Sequence, residues 1–230
     1  MPSVRKIPVK TRSVAGYFYS VKNKKNIDFE SQLEKKFYLM FEFDDDIESY
    51  QEQPVKVETV LKGRKVTYVP DCLIYFKPEL YRIPLLVEIK FLKEIIEKKE
   101  KIANKAKAIS RYSKENGYMF KIFTDKKLND IYIDNIKFLY RYSERPKLNG
   151  RYGEYENRIY SVLYSSLDGL TVNNLLNEAA INEQDKMNIL PVIWHMAFAK
   201  KLLINLYKPL NNGVAVTLKN KEAENDIVFS

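Results

Sequence analysis

The chain has one cysteine, Cys72, and one histidine, His195, among 230 residues, and only seven glycines. A lone cysteine excludes an internal disulfide framework and a cysteine-based zinc site, which suits a reducing, cytoplasmic setting. A lone histidine in the apolar run VIWHMAF has no second imidazole with which to share a metal, so packing is its expected role. No apolar run approaches the length of a membrane span, and the basic N-terminus is followed by polar sequence rather than a signal-peptide core. Few glycines beside 17 tyrosines and 45% hydrophobic residues exclude a disordered composition.

Acid is missing from the first 27 residues. They carry Arg5, Lys6, Lys10, Arg12, Lys22, Lys24 and Lys25, interleaved with Tyr17, Phe18 and Tyr19. Such a stretch reads as a basic arm able to lie along phosphates, or else as a solvated tail. The excess of positive charge is confined to the first part of the chain. Residues 1–150 hold 31 Lys and Arg against 21 Asp and Glu, and residues 151–230 hold 8 against 9. A basic first part points to a polyanionic partner, although solubility alone also accounts for it.

From Ser31 to Phe43 the spacing predicts a helix, with Ser31 and Glu34 placed as a capping box and Glu30 on the same face as Glu34. After the acidic loop at 44–49, residues 55–61 and 66–68 predict a hairpin turning at Gly63. Then come two apolar strands, VPDCLIYF and LLVEIK. A single long helix is expected over 92–116, with Leu92, Ile95, Ile96, Ile102, Ala103, Ala106 and Ile109 as its stripe. A strand at 118–123 and a helix ending near Tyr140 follow, giving a parallel crossover. Pro146 and Gly150 mark a linker. Helices are expected at 155–167, at 171–180 capped by Thr171, and at 191–201 starting on Pro191, followed by a hairpin of LLINLY and VAVTL. Helix, helix, helix, hairpin is the order of a winged-helix domain. The divisions expected are an arm over 1–27, a catalytic domain over 28–146, a winged-helix domain over 147–220 and a polar tail.

The chemistry lies in residues 69–90. Asp71 follows Pro70, and after sixteen residues comes Glu88-Ile89-Lys90. Side chains alternate along a strand, so Glu88 and Lys90 share a face. Two carboxylates and an ammonium at one sheet edge suit a hard cation such as Mg²⁺, held against a phosphate, with the Ile89 carbonyl as a further oxygen ligand. The lysine can position water or offset developing charge. A charge pair on an edge strand gives the same letters, so element order matters. Acid-bearing helix, hairpin, ExK strand and crossover helix follow the order of a restriction-endonuclease-like core, an α/β fold with helices around a mixed sheet.

With the flanking residues included, ESQLEKKFYLMFEF (30–43), YQEQPV (50–55), YVPDCLIYF (68–76), LLVEIK (85–90) and FTDKKLNDIYIDNIKFLYRYS (123–143) resemble the TnsA family. These are the endonuclease subunits of heteromeric Tn-seven-type transposases, within the PD-(D/E)xK nucleases. The resemblance covers most of the first ~150 residues. It implies catalytic roles for Glu34, Asp71, Glu88 and Lys90, with Glu34, Asp71, Glu88 and Ile89 around Mg²⁺, for which Mn²⁺ substitutes. Some family members carry Gln at the place of Glu88. The resemblance further implies double-stranded DNA at transposon ends as substrate, cut on the 5′ side, an integrase-like transposase partner, and an ATPase regulator contacting the C-terminal domain. Few basic residues precede Lys200 and Lys201 in the third winged-helix segment, so protein binding is as good a reading there as DNA binding. A stand-alone restriction or repair nuclease, and a non-catalytic DNA-binding adaptor on the same fold, remain the alternatives.

Overall fold

The computed structural model describes residues 15–166 and 168–219. Two compact units divide the chain, one ending at Leu128 and the other beginning at Asn129.

The first unit opens with an antiparallel hairpin of β1 (Gly16–Ser20) and β2 (Lys25–Phe29). Residues 16–27 are therefore strand and turn rather than a free arm. Ile27 and Phe29 are buried on one side of β2 and join the core. The turn is tied down by Glu42, whose carboxylate accepts from the backbone N–H groups of Val21 (3.0 Å) and Lys22 (3.2 Å). Arg5, Lys6, Lys10 and Arg12 lie outside the described residues.

Helix α1 (Gln32–Phe43) starts where its cap predicts, the Ser31 hydroxyl accepting from the Glu34 N–H at 3.1 Å. Strand β3 (Ile47–Glu52) follows, then a separate hairpin, β4 (Val57–Leu61) and β5 (Arg64–Tyr68). Strands β6 (Cys72–Phe76), β7 (Leu85–Lys90) and β8 (Met119–Thr124) complete a four-stranded sheet in the order β3-β6-β7-β8. The first two pairings are antiparallel and β7 with β8 is parallel. The central strands read as near-continuous apolar runs because both faces are covered. Cys72, Ile74, Leu85, Val87 and Ile89 pack with Leu33, Phe37, Tyr38 and Phe41 of α1. Leu73 and Leu86, on the other face, pack with Ile109 of the crossover helix.

That crossover is two helices, α2 (Leu92–Glu97) and α3 (Lys99–Glu115), and not one. The break at Lys98 falls in the charged stretch EKKEK, where no buried side chain holds successive turns against the sheet. Ile96, expected in the stripe, is 70% exposed, and Ile102, Ala108 and Ile109 form the buried face. A mixed sheet with helices on both faces is the restriction-endonuclease-like architecture that the element order predicts.

The second unit starts earlier than the Pro146–Gly150 linker because α4 (Asp130–Tyr140) packs with the helices that follow it. Phe138 meets Trp194 edge to face at 5.1 Å. The buried Asn135 side chain donates to the carbonyls of Leu206 (2.8 Å) and Lys208 (2.7 Å) and accepts from the Leu210 N–H (3.1 Å). After α5 (Tyr152–Tyr164) come β9 (Leu170–Thr171), α6 (Val172–Ala179), α7 (Glu183–Phe198), β10 (Leu202–Ile204) and β11 (Ala215–Leu218). The strands form one antiparallel sheet, β10-β11-β9. Gly169 precedes β9 at φ +75°, and a Cβ there would lie 2.3 Å from Thr217 Cγ2.

Thr171 caps α6 as expected. Pro191, however, lies inside α7 and does not begin it. Asn182, nine residues earlier, caps that helix by accepting from the Asp185 N–H at 2.9 Å. Cys72 is fully buried and serves as a small apolar side chain. The His195 ring hydrogen-bonds the Tyr142 carbonyl through Nδ1 (2.8 Å) and meets Tyr152 edge-on, a packing role. Among the described residues no helix is long and apolar enough to cross a membrane.

Candidate active site

Where β6 begins, the backbone ladder to β7 hands over to a side chain. Cys72 pairs with Val87, and the Asp71 N–H donates to the Val87 carbonyl at 3.0 Å. Two residues further along β7, the Ile89 N–H donates to Asp71 Oδ2 at 2.6 Å. The carboxylate thereby replaces the carbonyl that a longer β6 would have supplied, as Pro70 ends the strand. The Asp71 carbonyl is held as well, by the Tyr38 hydroxyl of α1 and by the Gln53 N–H, each at 3.0 Å. Asp71 is thus fixed from α1, from β7 and from the end of β3.

Lys90 closes the group. Its ammonium lies 3.2 Å from Asp71 Oδ2 and 2.8 Å from Glu88 Oε1, and donates to the Ile89 carbonyl at 2.9 Å. Glu88 and Lys90 meet on one face of β7, as alternation predicts. Burial pushes the Asp71 carboxyl up to about 7, the nearby Glu88 charge pushes the same way, and Lys90 opposes both. For Lys90, burial favours the neutral amine, but Asp71 and Glu88 outweigh it and hold the ammonium charged more firmly than in water.

Glu34 serves its own helix first. Oε2 accepts from the Glu30 N–H at 2.8 Å and Oε1 from the Ser31 hydroxyl at 2.9 Å, the reciprocal half of the cap. Burial raises its pKa, those two hydrogen bonds oppose the shift, and the Lys90 charge adds to the opposition. Glu34 in turn raises Asp71. It therefore stands within electrostatic reach of the group while its oxygens are taken locally.

Among the described residues, no cluster of three or more His, Cys, Asp or Glu side chains is arranged to hold a metal. The ammoniums of Lys90 and Lys105 lie against the acids instead. The donor set nonetheless fits a hard cation, on one observation. Glu88, 2% exposed, has both lysines on Oε1, while Oε2 is buried with no hydrogen-bond partner among the described residues. A carboxylate oxygen left unsatisfied in a protein interior is costly unless something charged or polar meets it. Asp71, Glu88 and the Ile89 carbonyl are all oxygen donors of the kind Mg²⁺ takes.

Of the basic residues expected to hold DNA, Lys25 is engaged by the buried Glu52 at 3.2 Å, and the Lys22 ammonium donates to the carbonyls of Asp44 and Ile47. Lys24 sits in the β1–β2 turn with φ 53°. The sequence reading missed two residues: Lys105 of α3 reaches Glu88, and Tyr38 holds the Asp71 backbone. Gln53, at the end of β3, takes a left-handed φ of 42° with its buried Oε1 unpartnered among the described residues. Lys105 could have been found, because it sits three residues after Ile102 and four before Ile109, on the apolar stripe where a lysine needs a reason.

Residues 44–125 match the family model described as TnsA-like endonuclease N terminal. The match contains Asp71, Glu88, Ile89, Lys90 and Lys105 and leaves Glu34 outside it. Comparison with curated proteins found no match.

Proposed function

From the match of residues 44–125 to the TnsA-like endonuclease N-terminal model, we propose a Mg²⁺-dependent DNA endonuclease that serves as one subunit of a cut-and-paste transposase. The observation that carries the reading is Lys90 lying within 3.2 Å of Asp71 and 2.8 Å of Glu88 at the shared end of β6 and β7.

Asp71 and Glu88, with the Ile89 carbonyl, would hold the cation, and Glu34 borders the same site. Bound there, Mg²⁺ supplies Lewis-acid polarisation of a phosphate and lowers the pKa of water. The protein's own part is positioning. The Ile89 N–H fixes the Asp71 carboxylate, and the Tyr38 hydroxyl and Gln53 N–H fix its backbone. Lys90 keeps a positive charge where a phosphate oxygen gains negative charge, and it can orient the attacking water. In the hydrolysis, water oxygen forms a new bond to phosphorus, one bridging P–O ester bond breaks, and the departing oxygen takes a proton.

The substrate in this reading is double-stranded DNA at transposon ends, cut on the 5′ side, with an integrase-like partner acting on the other strand. The order α5-β9-α6-α7-β10-β11 supports a winged-helix second domain, and we assign it to contact with an ATPase regulator. Arg5, Lys6, Lys10 and Arg12, together with Lys24, are the basic groups offered to phosphates. Lys90→Met tests the reading. With Mg²⁺ and the partner subunit present, strand cleavage falls by roughly 10²-fold or more while the thermal melt stays cooperative. Wild-type cleavage by a folded Lys90→Met protein overturns the role of Lys90.

A further inference from the structure

We propose that Lys105 is a second active-site lysine, which makes the acidic sheet edge take up a divalent cation together with a DNA phosphate and not ahead of it. This deepens the nuclease reading and rests on it. Lys105 leaves α3 on the helix's buried stripe, between Ile102 and Ile109. Its ammonium lies 2.6 Å from Glu88 Oε1 and 3.3 Å from the Val69 carbonyl, and its side chain is only 20% exposed. Lys90 lies 2.8 Å from the same Oε1. One oxygen of Glu88 thus carries two ammoniums, and the other carries none among the described residues.

The charge count gives this arrangement its consequence. Asp71 and Glu88, with Glu34 within electrostatic reach, sum when ionised with Lys90 and Lys105 to a formal charge of −1. Lys90 alone would leave −2. A divalent cation brought to a site of charge −1 meets weak attraction and an ammonium at close range. A phosphodiester contributes a further negative charge, and with it the cation and both lysines are balanced. Lys105 therefore couples cation uptake to the presence of DNA backbone through Coulombic terms alone. The same lysine holds Glu88 on Oε1 and leaves Oε2 facing whatever arrives.

Calorimetric titration of the full chain with Mn²⁺, with and without a short DNA duplex, tests this in wild type, Lys105→Met, Lys105→Gln and Lys105→Arg. Without DNA, the two neutral variants should bind Mn²⁺ about tenfold more tightly than wild type, and Lys105→Arg should match wild type. The duplex should strengthen Mn²⁺ binding in wild type more than in the neutral variants. Two neutral replacements guard against one of them failing to fold. If both fold and bind Mn²⁺ no more tightly than wild type without DNA, the inference is overturned and the nuclease reading stands. If no form binds Mn²⁺, with or without duplex, the nuclease reading fails and this inference fails with it.

Discussion

Asp71 Oδ2 accepts the Ile89 N–H at 2.6 Å, so one carboxylate both closes the β6–β7 ladder and faces Lys90. The two roles separate by substitution. Asparagine keeps an oxygen to accept the Ile89 N–H, whereas alanine leaves that donor unpaired. Asp71→Asn should therefore exceed Asp71→Ala in stability by about 1–3 kcal/mol in urea melts. Equal stability of the two variants would mean that the ladder does not depend on this acceptor.

The same carboxylate links stability to pH. Its folded-state pKa is raised from the ordinary 3.8 to about 7, by burial first and by Glu88 second. The folded protein thus keeps a proton that the unfolded chain has lost. The resulting stability is fully present below about pH 4 and is lost as pH rises through 7. Against Asp71→Asn, which does not titrate there, wild type should lose on the order of 2 kcal/mol or more between pH 4 and pH 8 in metal-free buffer. A wild-type-minus-variant difference that is flat with pH contradicts the shift.

Glu34 has one task visible in its hydrogen bonds and another assigned by family resemblance. Gln at this position keeps a capping box, and Ala does not. Glu34→Gln should leave the melt near wild type and lower strand cleavage. Glu34→Ala should lower both, the stability by about 0.5–2 kcal/mol. Undiminished cleavage by Glu34→Gln would reduce Glu34 to a cap.

Local chemistry was legible in the sequence, and long-range packing was not. Ser31, Thr171 and Gly63 mark a cap, a cap and a turn because each acts on neighbours within a few residues. Glu88 and Lys90 were placed on one face by strand alternation. Lys105 was not linked to Glu88, since nothing in the spacing of 17 residues between them says which helix face meets which sheet face. Residues 16–27 read as an arm because seven basic groups over the first 27 obscured the alternation that buries Ile27 and Phe29. Propensity alone marks Pro191 as a helix start, but the Asn182 cap and buried Asp185 and Ile189 recruit the eight residues before it into α7.

The two compact units divide at Asn129, ahead of the linker at Pro146. Pro and Gly mark where chain direction changes, yet α4, which precedes the linker, packs against α7, which follows it. A fragment beginning at Asn129 should fold cooperatively. One beginning at Lys147 should not, because it lacks Asn135, which holds the 206–210 segment through three hydrogen bonds, and Phe138, which packs on Trp194. Circular dichroism melts of the two fragments decide this, and equal cooperativity would return the boundary to the linker.

The proposal that Asp71 with Glu88 and Lys90 cuts DNA stands or falls on strand cleavage of an end-labelled transposon-end duplex, with Mg²⁺ and the integrase-like partner, by wild type and by Asp71→Asn. Wild type should release the 5′-side product only when Mg²⁺ is present, and the folded Asp71→Asn protein should release none. Cleavage by Asp71→Asn at the wild-type rate would mean that the chemistry lies elsewhere.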